Sequence, residues 1–285
     1  CSLAKSAPMA QCKSRIRYAH SCFATGSGER VMITSIIDID TTFDFTNDSP
    51  NYWENFWTNK NGLGAGNSDP DSESKTLQSY QKLLYSRELP NGQKMDLKSG
   101  LGSYYLTWND FRFGSDSITA SFRYYDYVEM IKRIRERLTN YEQYMEDYIR
   151  KTYTIGGNII FPKRINSVNQ SRGCESKIRD RWDLTLECIR RFYINEISPL
   201  SEVLEIDRTF FSLFNDFKGY IDFFFLQDCV VEDYSKVILW TDIMPFVDDP
   251  LPNTVDTYLQ FIDNEILFVN KRNRRIQDFI ENAKG

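Results

Sequence analysis

The segment 208–228 constrains the fold of this chain most strongly, because it holds seven phenylalanines and one tyrosine in 21 positions. Its apolar side chains fall on nearly every side of a helix, and a helix that is apolar all round has to be buried. We therefore predict a central buried helix, in which Gly219 permits close packing or a break. Aromatic residues make up 15% of the 285 residues, so the chain can bury a substantial core.

Hydrophobic spacing predicts helices along most of the chain and only a small sheet. Apolar residues recur at three- and four-residue intervals in the longer predicted helices. These helices cover about 75–87, 124–151, 175–194 and 254–282. Predicted strands cover 33–46, 93–98, 103–108, 154–162 and 237–240, with one more that begins at Phe111 and is broken by Gly114–Ser117. Strands do not alternate regularly with helices, which excludes a doubly wound sheet. The predicted fold class is α+β, mostly helical, with a compact helical core and a small, largely antiparallel sheet.

Residues 1–31 differ from the rest of the chain in charge and composition. They carry five basic residues against Glu29, a net charge of +4, so the other 254 residues carry −5 − 4 = −9. The segment also contains three of the six cysteines and the single histidine, His20. We expect a basic N-terminal extension, disordered or not native, before a single globular domain over 32–285. A short basic arm that touches a partner and a lipid-modified Cys1 are the alternatives.

The scarcity of histidine and the spacing of the cysteines exclude several kinds of site. With His20 alone, a Ser-His-Asp triad, a Cys-His pair and a multi-histidine metal site are nearly excluded. Cys174, Cys188 and Cys229 are widely spaced, which is typical of reduced thiols in a cytoplasmic protein. No stretch approaches ~20 apolar residues, so we predict no membrane span.

The block 153–191 combines the features of an anion site. Two glycines begin a predicted strand, a polar loop follows, and the next helix begins with basic residues. Backbone amides at a helix start, together with Arg and Lys, suit a phosphate or a carboxylate. The alternative is a capped loop whose arginines pair with the acids of the helix. The candidate ligand-binding residues are Gly156, Gly157, Asn169, Gln170, Arg172, Lys177 and Arg179.

Three carboxylates follow one stripe of the helix after this loop. Asp180, Asp183 and Glu187 are spaced at i, i+3 and i+7, and Arg191 continues the stripe. Carboxylate oxygens are the ligands that Mg²⁺ and other hard cations take, so a divalent metal is one candidate cofactor. Because arginines surround these residues, a network of salt bridges is the alternative.

Asp222 lies within the aromatic segment and is the fourth candidate catalytic carboxylate. A carboxylate among so many aromatic side chains is a candidate general base. It is otherwise a structural partner of a buried arginine, and Arg190 and Arg181 are the expected partners. Gln227 and Asp228 lie about one turn further on and would share the site.

The chain from about Asp40 to Arg275 resembles a family of uncharacterised, mainly bacterial proteins, a domain family of unknown function. The motifs that carry the resemblance are TTFDF (41–45), NDSPNYW (47–53), DPDSESKTLQSYQKLLYSRELPNG (69–92), YTIGGNIIFP (153–162), NQSRG (169–173), KIRDRWDLTLECIRRFY (177–193), SPL (198–200) and DFKGYIDFFFLQD (216–228). The resemblance implies one compact domain. It implies no activity and no catalytic residue.

Three functions follow from these observations as hypotheses. The first is a cytoplasmic protein that binds, or acts on, a phosphorylated or nucleotide-like ligand through Arg, Lys and carboxylates. The second is a non-enzymatic interaction protein, in which every candidate carboxylate is paired. The third is binding of nucleic acid through the basic residues of 132–137 and 271–275, which the acidic remainder of the chain disfavours.

Overall fold

The computed structural model describes residues 35–58, 68–100, 105–118, 128–162, 178, 181–241, 246 and 252–284. Contacts divide the chain into two units, Cys1–Met32 and Ile33–Gly285, and every described residue belongs to the second. The expectation for residues 1–31 lies outside the described residues and stays a prediction.

Helices form most of the described structure. They are α1 (Tyr52–Thr58), α2 (Pro70–Glu73), α3 (Lys75–Tyr85), α4 (Val128–Arg137), α5 (Tyr141–Thr152), α6 (Trp182–Tyr193), α7 (Ser201–Ile206), α8 (Arg208–Phe211), α9 (Phe217–Phe223) and α10 (Val255–Asn282). The predicted start of α3 is confirmed, because the Ser74 hydroxyl accepts a hydrogen bond from Leu77 N at 3.0 Å. Thr254 caps α10 in the same way, at 3.2 Å from Thr257 N. The predicted helix 124–151 is two helices, separated by a turn after Arg137.

The sheet has four antiparallel strands in sequence order. They are β1 (Lys98–Ser99), β2 (Leu106–Trp108), β3 (Phe111–Ser117) and β4 (Asn158–Pro162). The predicted break at Gly114–Ser117 is wrong, because β3 continues to Ser117, which pairs with Asn158. Pairing with the buried strand β4 outweighs the low strand preference of Gly, Ser and Asp. The mostly helical α+β class with a small antiparallel sheet is confirmed.

The aromatic segment is buried as predicted, but it is not one helix. All seven phenylalanines and Tyr220 are buried. The chain breaks at Asn215, whose φ of 66° lies in the left-handed region that asparagine tolerates. Asp216 then caps α9, and its side chain accepts a hydrogen bond from Gly219 N at 2.7 Å. Two short helices therefore place the rings on several sides of the core, where one straight helix was expected.

Gly219 supplies the close packing expected of it. A Cβ at this position would lie 2.1 Å from the carbonyl oxygen of Phe214 and 3.3 Å from Cγ of Pro90. A larger side chain here would push the two halves of the aromatic segment apart.

Two predicted strands are absent from the described structure. Residues 36–38 and 45–48 form 3₁₀ turns where a strand over 33–46 was expected. Near the predicted strand 237–240, one isolated bridge joins Val230 and Val237. In the 45–48 turn, Asp44 accepts a hydrogen bond from Thr46 N at 2.9 Å, and this local bond favours the turn over pairing in a sheet.

Among the described helices, none is both long enough and apolar enough to cross a bilayer.

Candidate functional site

Six of the predicted site residues lie outside the described part of the chain. Their roles in anion or metal binding stay predictions. They are Asn169, Gln170, Arg172, Lys177, Arg179 and Asp180.

The predicted glycine pair is packed tightly against the protein's own backbone. A Cβ on Gly156 would lie 2.6 Å from the carbonyl oxygen of Val269 in α10. A Cβ on Gly157 would lie 1.7 Å from the carbonyl oxygen of Thr152 in α5. Gly156 N also donates to the Asn273 side chain at 2.7 Å. The described contacts of these glycines therefore allow α5, α10 and the start of β4 to approach one another.

Asp183 forms a fully buried ion pair with Arg181, and both side chains are 0% exposed. The pair is bidentate: Arg181 Nε lies 2.9 Å from one carboxylate oxygen, and its Nη2 donates to the other. Trp240 N donates to the same carboxylate at 2.8 Å. This arrangement joins the start of α6 to the segment before α10.

Glu187, one turn further along α6, is held by two arginines. Its carboxylate accepts from Arg190 Nε and from Arg191 Nε, each at 2.8 Å. Burial by itself would raise the pKa of Glu187, but the hydrogen bonds from Arg190 and Arg191 outweigh it and lower the pKa below its ordinary value of 4.5. Within the described residues, no group of three or more His, Cys, Asp or Glu is arranged to hold a metal ion.

The pKa of Glu187 predicts a pH dependence of stability. Because the folded-state pKa is lowered, its stabilising contribution is complete above the unfolded pKa and is lost as the pH falls through the folded pKa. Glu187→Gln is expected to destabilise the protein at pH 7 by about 1 kcal/mol, and the difference from the wild type should shrink below about pH 4. Urea unfolding of the wild type and Glu187→Gln between pH 3 and 7 measures this difference in stability. A difference that is constant with pH would contradict the assignment.

Asp222 is paired, although not with an expected arginine. Lys218, one turn earlier on α9, is its ion-pair partner. The carboxylate also accepts from Gln227 Nε2 at 3.0 Å and from the Tyr234 hydroxyl at 2.9 Å. Gln227 thus lies beside Asp222, and the functional site that the two would share stays a prediction. Asp228 points elsewhere, to Arg275 in α10.

The basic residues near the end of α10 differ in burial and in their ion-pair partners. Arg272 is completely buried. Lys271 and Arg275 both contact Asp228, Lys271 at 3.8 Å. On α4, Arg137 pairs with Asp256 at 2.5 Å. These contacts reduce the free positive charge that the nucleic-acid hypothesis requires.

The structure also contains a partly buried polar cluster that the sequence analysis missed. We call it the polar network and define it as Asp48, Asp71, Gln81, Tyr105 and Ser115. The Ser115 hydroxyl donates to Asp71 Oδ1 at 2.7 Å and accepts from Gln81 Nε2 at 3.0 Å. The network thus links α2, α3 and β3.

Asp48 belongs to the same region because it binds the start of α3. Its Oδ2 accepts from the Ser74 hydroxyl at 2.9 Å and from Thr76 N at 3.0 Å. Burial raises the pKa of Tyr105 well above 10.0, and the charges of Asp71 and Asp48 raise it further. The Tyr105 hydroxyl therefore stays protonated and lies within the electrostatic reach of both carboxylates.

Three polar atoms in this region are buried and have no hydrogen-bond partner among the residues that the structure describes. They are Ser49 Oγ, Gln81 Oε1 and Tyr105 Oη. The backbone of Tyr105 is held by two hydrogen bonds. Its N–H donates to the Phe113 carbonyl at 3.1 Å, and the Tyr105 carbonyl accepts from Gln78 Nε2 at 2.8 Å. The backbone of Tyr105 is therefore fixed, while its hydroxyl has no hydrogen-bond partner among the described residues.

One signal in the sequence points to this network. Asp69-Pro70-Asp71, followed by Ser74, is typical of a helix start, because Pro favours the first helical position and Asp or Ser favours the cap. Such a start concentrates carboxylates and hydroxyls within one turn. The contact with Gln81 and Ser115 depends on tertiary packing and could not be found from spacing alone.

The described residues thus define a mostly helical α+β domain with a partly buried polar network between its sheet and its N-terminal helices. A family model matches residues 39–276, and the chain belongs to that family, described as Family of unknown function (DUF6994). Comparison with curated proteins and with solved structures found no match.

Proposed function

We propose that the protein binds a small polar molecule at the polar network, with Tyr105 and Gln81 as its recognition groups. The observation that carries the proposal is that both side chains present a buried polar atom without a partner. An unpaired buried polar group costs about 1–3 kcal/mol, and native proteins contain few of them. A bound molecule that pairs with these atoms removes that cost.

The two atoms define the chemistry of the ligand. Gln81 Oε1 is an acceptor and needs a donor from the ligand, whereas the Tyr105 hydroxyl donates and accepts. Nucleosides and sugars carry both kinds of group, so the proposed class includes the nucleotide-like ligand predicted from the sequence. Binding of a phosphate by the basic loop residues, among them Arg172 and Lys177, stays a separate prediction from the sequence.

Binding without catalysis fits the described carboxylates best. Asp183, Glu187 and Asp222 are each held in an ion pair. A general base or a metal ligand at any of them would first have to give up that partner. These pairs therefore favour the non-enzymatic alternative for the described part of the chain.

Tyr105→Phe tests the proposal through two effects of opposite sign. Without ligand, loss of the unpaired hydroxyl is expected to leave stability unchanged or raise it by about 1 kcal/mol. With ligand, the variant should bind about tenfold more weakly, because one hydrogen bond is lost. Thermal shift against a panel of nucleosides, sugars and their phosphates measures both effects.

Tyr193→Phe is the matched control, because the Tyr193 hydroxyl donates to the Phe211 carbonyl at 2.8 Å. Its removal should cost about 1 kcal/mol and leave ligand binding unchanged. If no compound stabilises the wild type, or if a crystal structure places only water between Tyr105 and Gln81, the proposed function is wrong.

A further inference from the structure

Arg87, just after α3, has its guanidinium enclosed by three aromatic rings. Its Cζ lies 4.4 Å from the ring centroids of Phe223 and Phe225, and 4.8 Å from that of Phe279. Its Nη2 donates to the Phe223 carbonyl. The cation–π contacts hold the charge in place at the end of α9, next to α10.

The charge of Arg87 has no carboxylate partner within the described part of the chain. Its Nε is buried and donates to no acceptor. Burial lowers the pKa of Arg87 to about 10, so the group stays protonated at neutral pH. Arg181 and Arg272 are buried as well, but Arg181 pairs with Asp183. Arg272 donates to backbone carbonyl groups and to the Tyr85 hydroxyl.

The enclosure of Arg87 includes a strained residue. Phe225 has a φ of 57°, in the left-handed region that bulky side chains rarely adopt. Phe225 is 6% exposed, and its ring lies over the guanidinium. Arg87 itself is only partly buried. Strained residues of this kind cluster at ligand clamps, where the surrounding structure fixes them.

We propose that Arg87 binds an oxyanion, a carboxylate or a phosphate, carried by a small molecule. The planar guanidinium fork matches either group, and the aromatic walls strengthen the attraction by excluding water. The proposal uses no residue of the polar network and is independent of the function proposed above.

The test titrates the full chain with sodium phosphate and, separately, with sodium acetate against sodium chloride at matched ionic strength. The measured quantity is the thermal midpoint of the wild type, Arg87→Met, Arg87→Lys and the control Arg274→Met. Arg274 lies on the exposed side of α10. Phosphate also stabilises proteins non-specifically, so the difference between the wild type and Arg87→Met is decisive.

We expect a saturable rise in the midpoint for the wild type and Arg274→Met, and at least tenfold weaker binding for both Arg87 variants. A response to phosphate alone identifies a phosphate ligand, and a response to acetate alone identifies a carboxylate. An equal rise in Arg87→Met, or no difference from chloride in the wild type, overturns the proposal. If Arg87→Met does not fold, the comparison uses Arg87→Lys instead. Binding of phosphate or acetate to Arg87→Lys with wild-type affinity would also overturn the proposal.

Discussion

Arg272→Met is expected to lower the free energy of unfolding by about 3–5 kcal/mol. Arg272 projects from α10 into the core and is 0% exposed. Every hydrogen bond it donates goes to an uncharged acceptor, either a backbone carbonyl or the Tyr85 hydroxyl.

These bonds join three parts of the chain that are far apart in sequence. Arg272 Nε donates to the Phe224 carbonyl at 3.0 Å, at the end of α9. Nη1 donates to the carbonyls of Gly156 and Asn158, each at 2.8 Å, where β4 begins. Nη2 donates to the Tyr85 hydroxyl at 2.8 Å, at the end of α3. Methionine fills much of the volume but leaves these acceptors buried and unpaired.

Urea unfolding of Arg272→Met, compared with Arg274→Met, measures the effect. The exposed control should stay within about 0.5 kcal/mol of the wild type. Tyr85→Phe removes a single bond of the set and should cost about 1 kcal/mol. A loss below about 1 kcal/mol for Arg272→Met, with an unchanged denaturant slope, would contradict the role assigned to this arginine.

The sequence predicted the helices whose ends carry clear signals. The helices predicted to start near 75 and 254 correspond to α3 and α10, which Ser74 and Thr254 cap, because a capping hydroxyl is a local feature of the sequence. The break at Asn215 was missed, although Asn followed by Asp is itself a combination of helix end and helix start. The many aromatic residues around Asn215 correctly predict that the segment is buried. They do not show whether its helix is continuous.

The candidate site was harder to predict because its decisive contacts join distant residues. The contact of Gln81 with Ser115 spans 34 positions, and the contact of Arg272 with Gly156 spans 116. The spacing of Asp183 and Glu187 correctly predicts that both lie on one helix. Whether such carboxylates face a ligand or an arginine depends on neighbouring elements, which spacing along one helix does not specify.

Asp183→Leu is expected to cost about 3–5 kcal/mol, because it removes the carboxylate partner of the buried Arg181. The Trp240 N–H, 2.8 Å from the same carboxylate, would lose its acceptor as well. The double variant Arg181→Met/Asp183→Leu removes both charges and replaces them with apolar side chains of similar volume. It should therefore be more stable than Asp183→Leu alone.

A double-mutant cycle with Arg181→Met, Asp183→Leu and the double variant separates the ion pair from its surroundings. We expect a coupling of about 2 kcal/mol or more between the two sites. The double variant should still be less stable than the wild type by about 1–2 kcal/mol, since Trp240 N stays unpaired. If the two single losses simply add, the pair contributes no coupling, and Asp183 would then act mainly as the acceptor for Trp240.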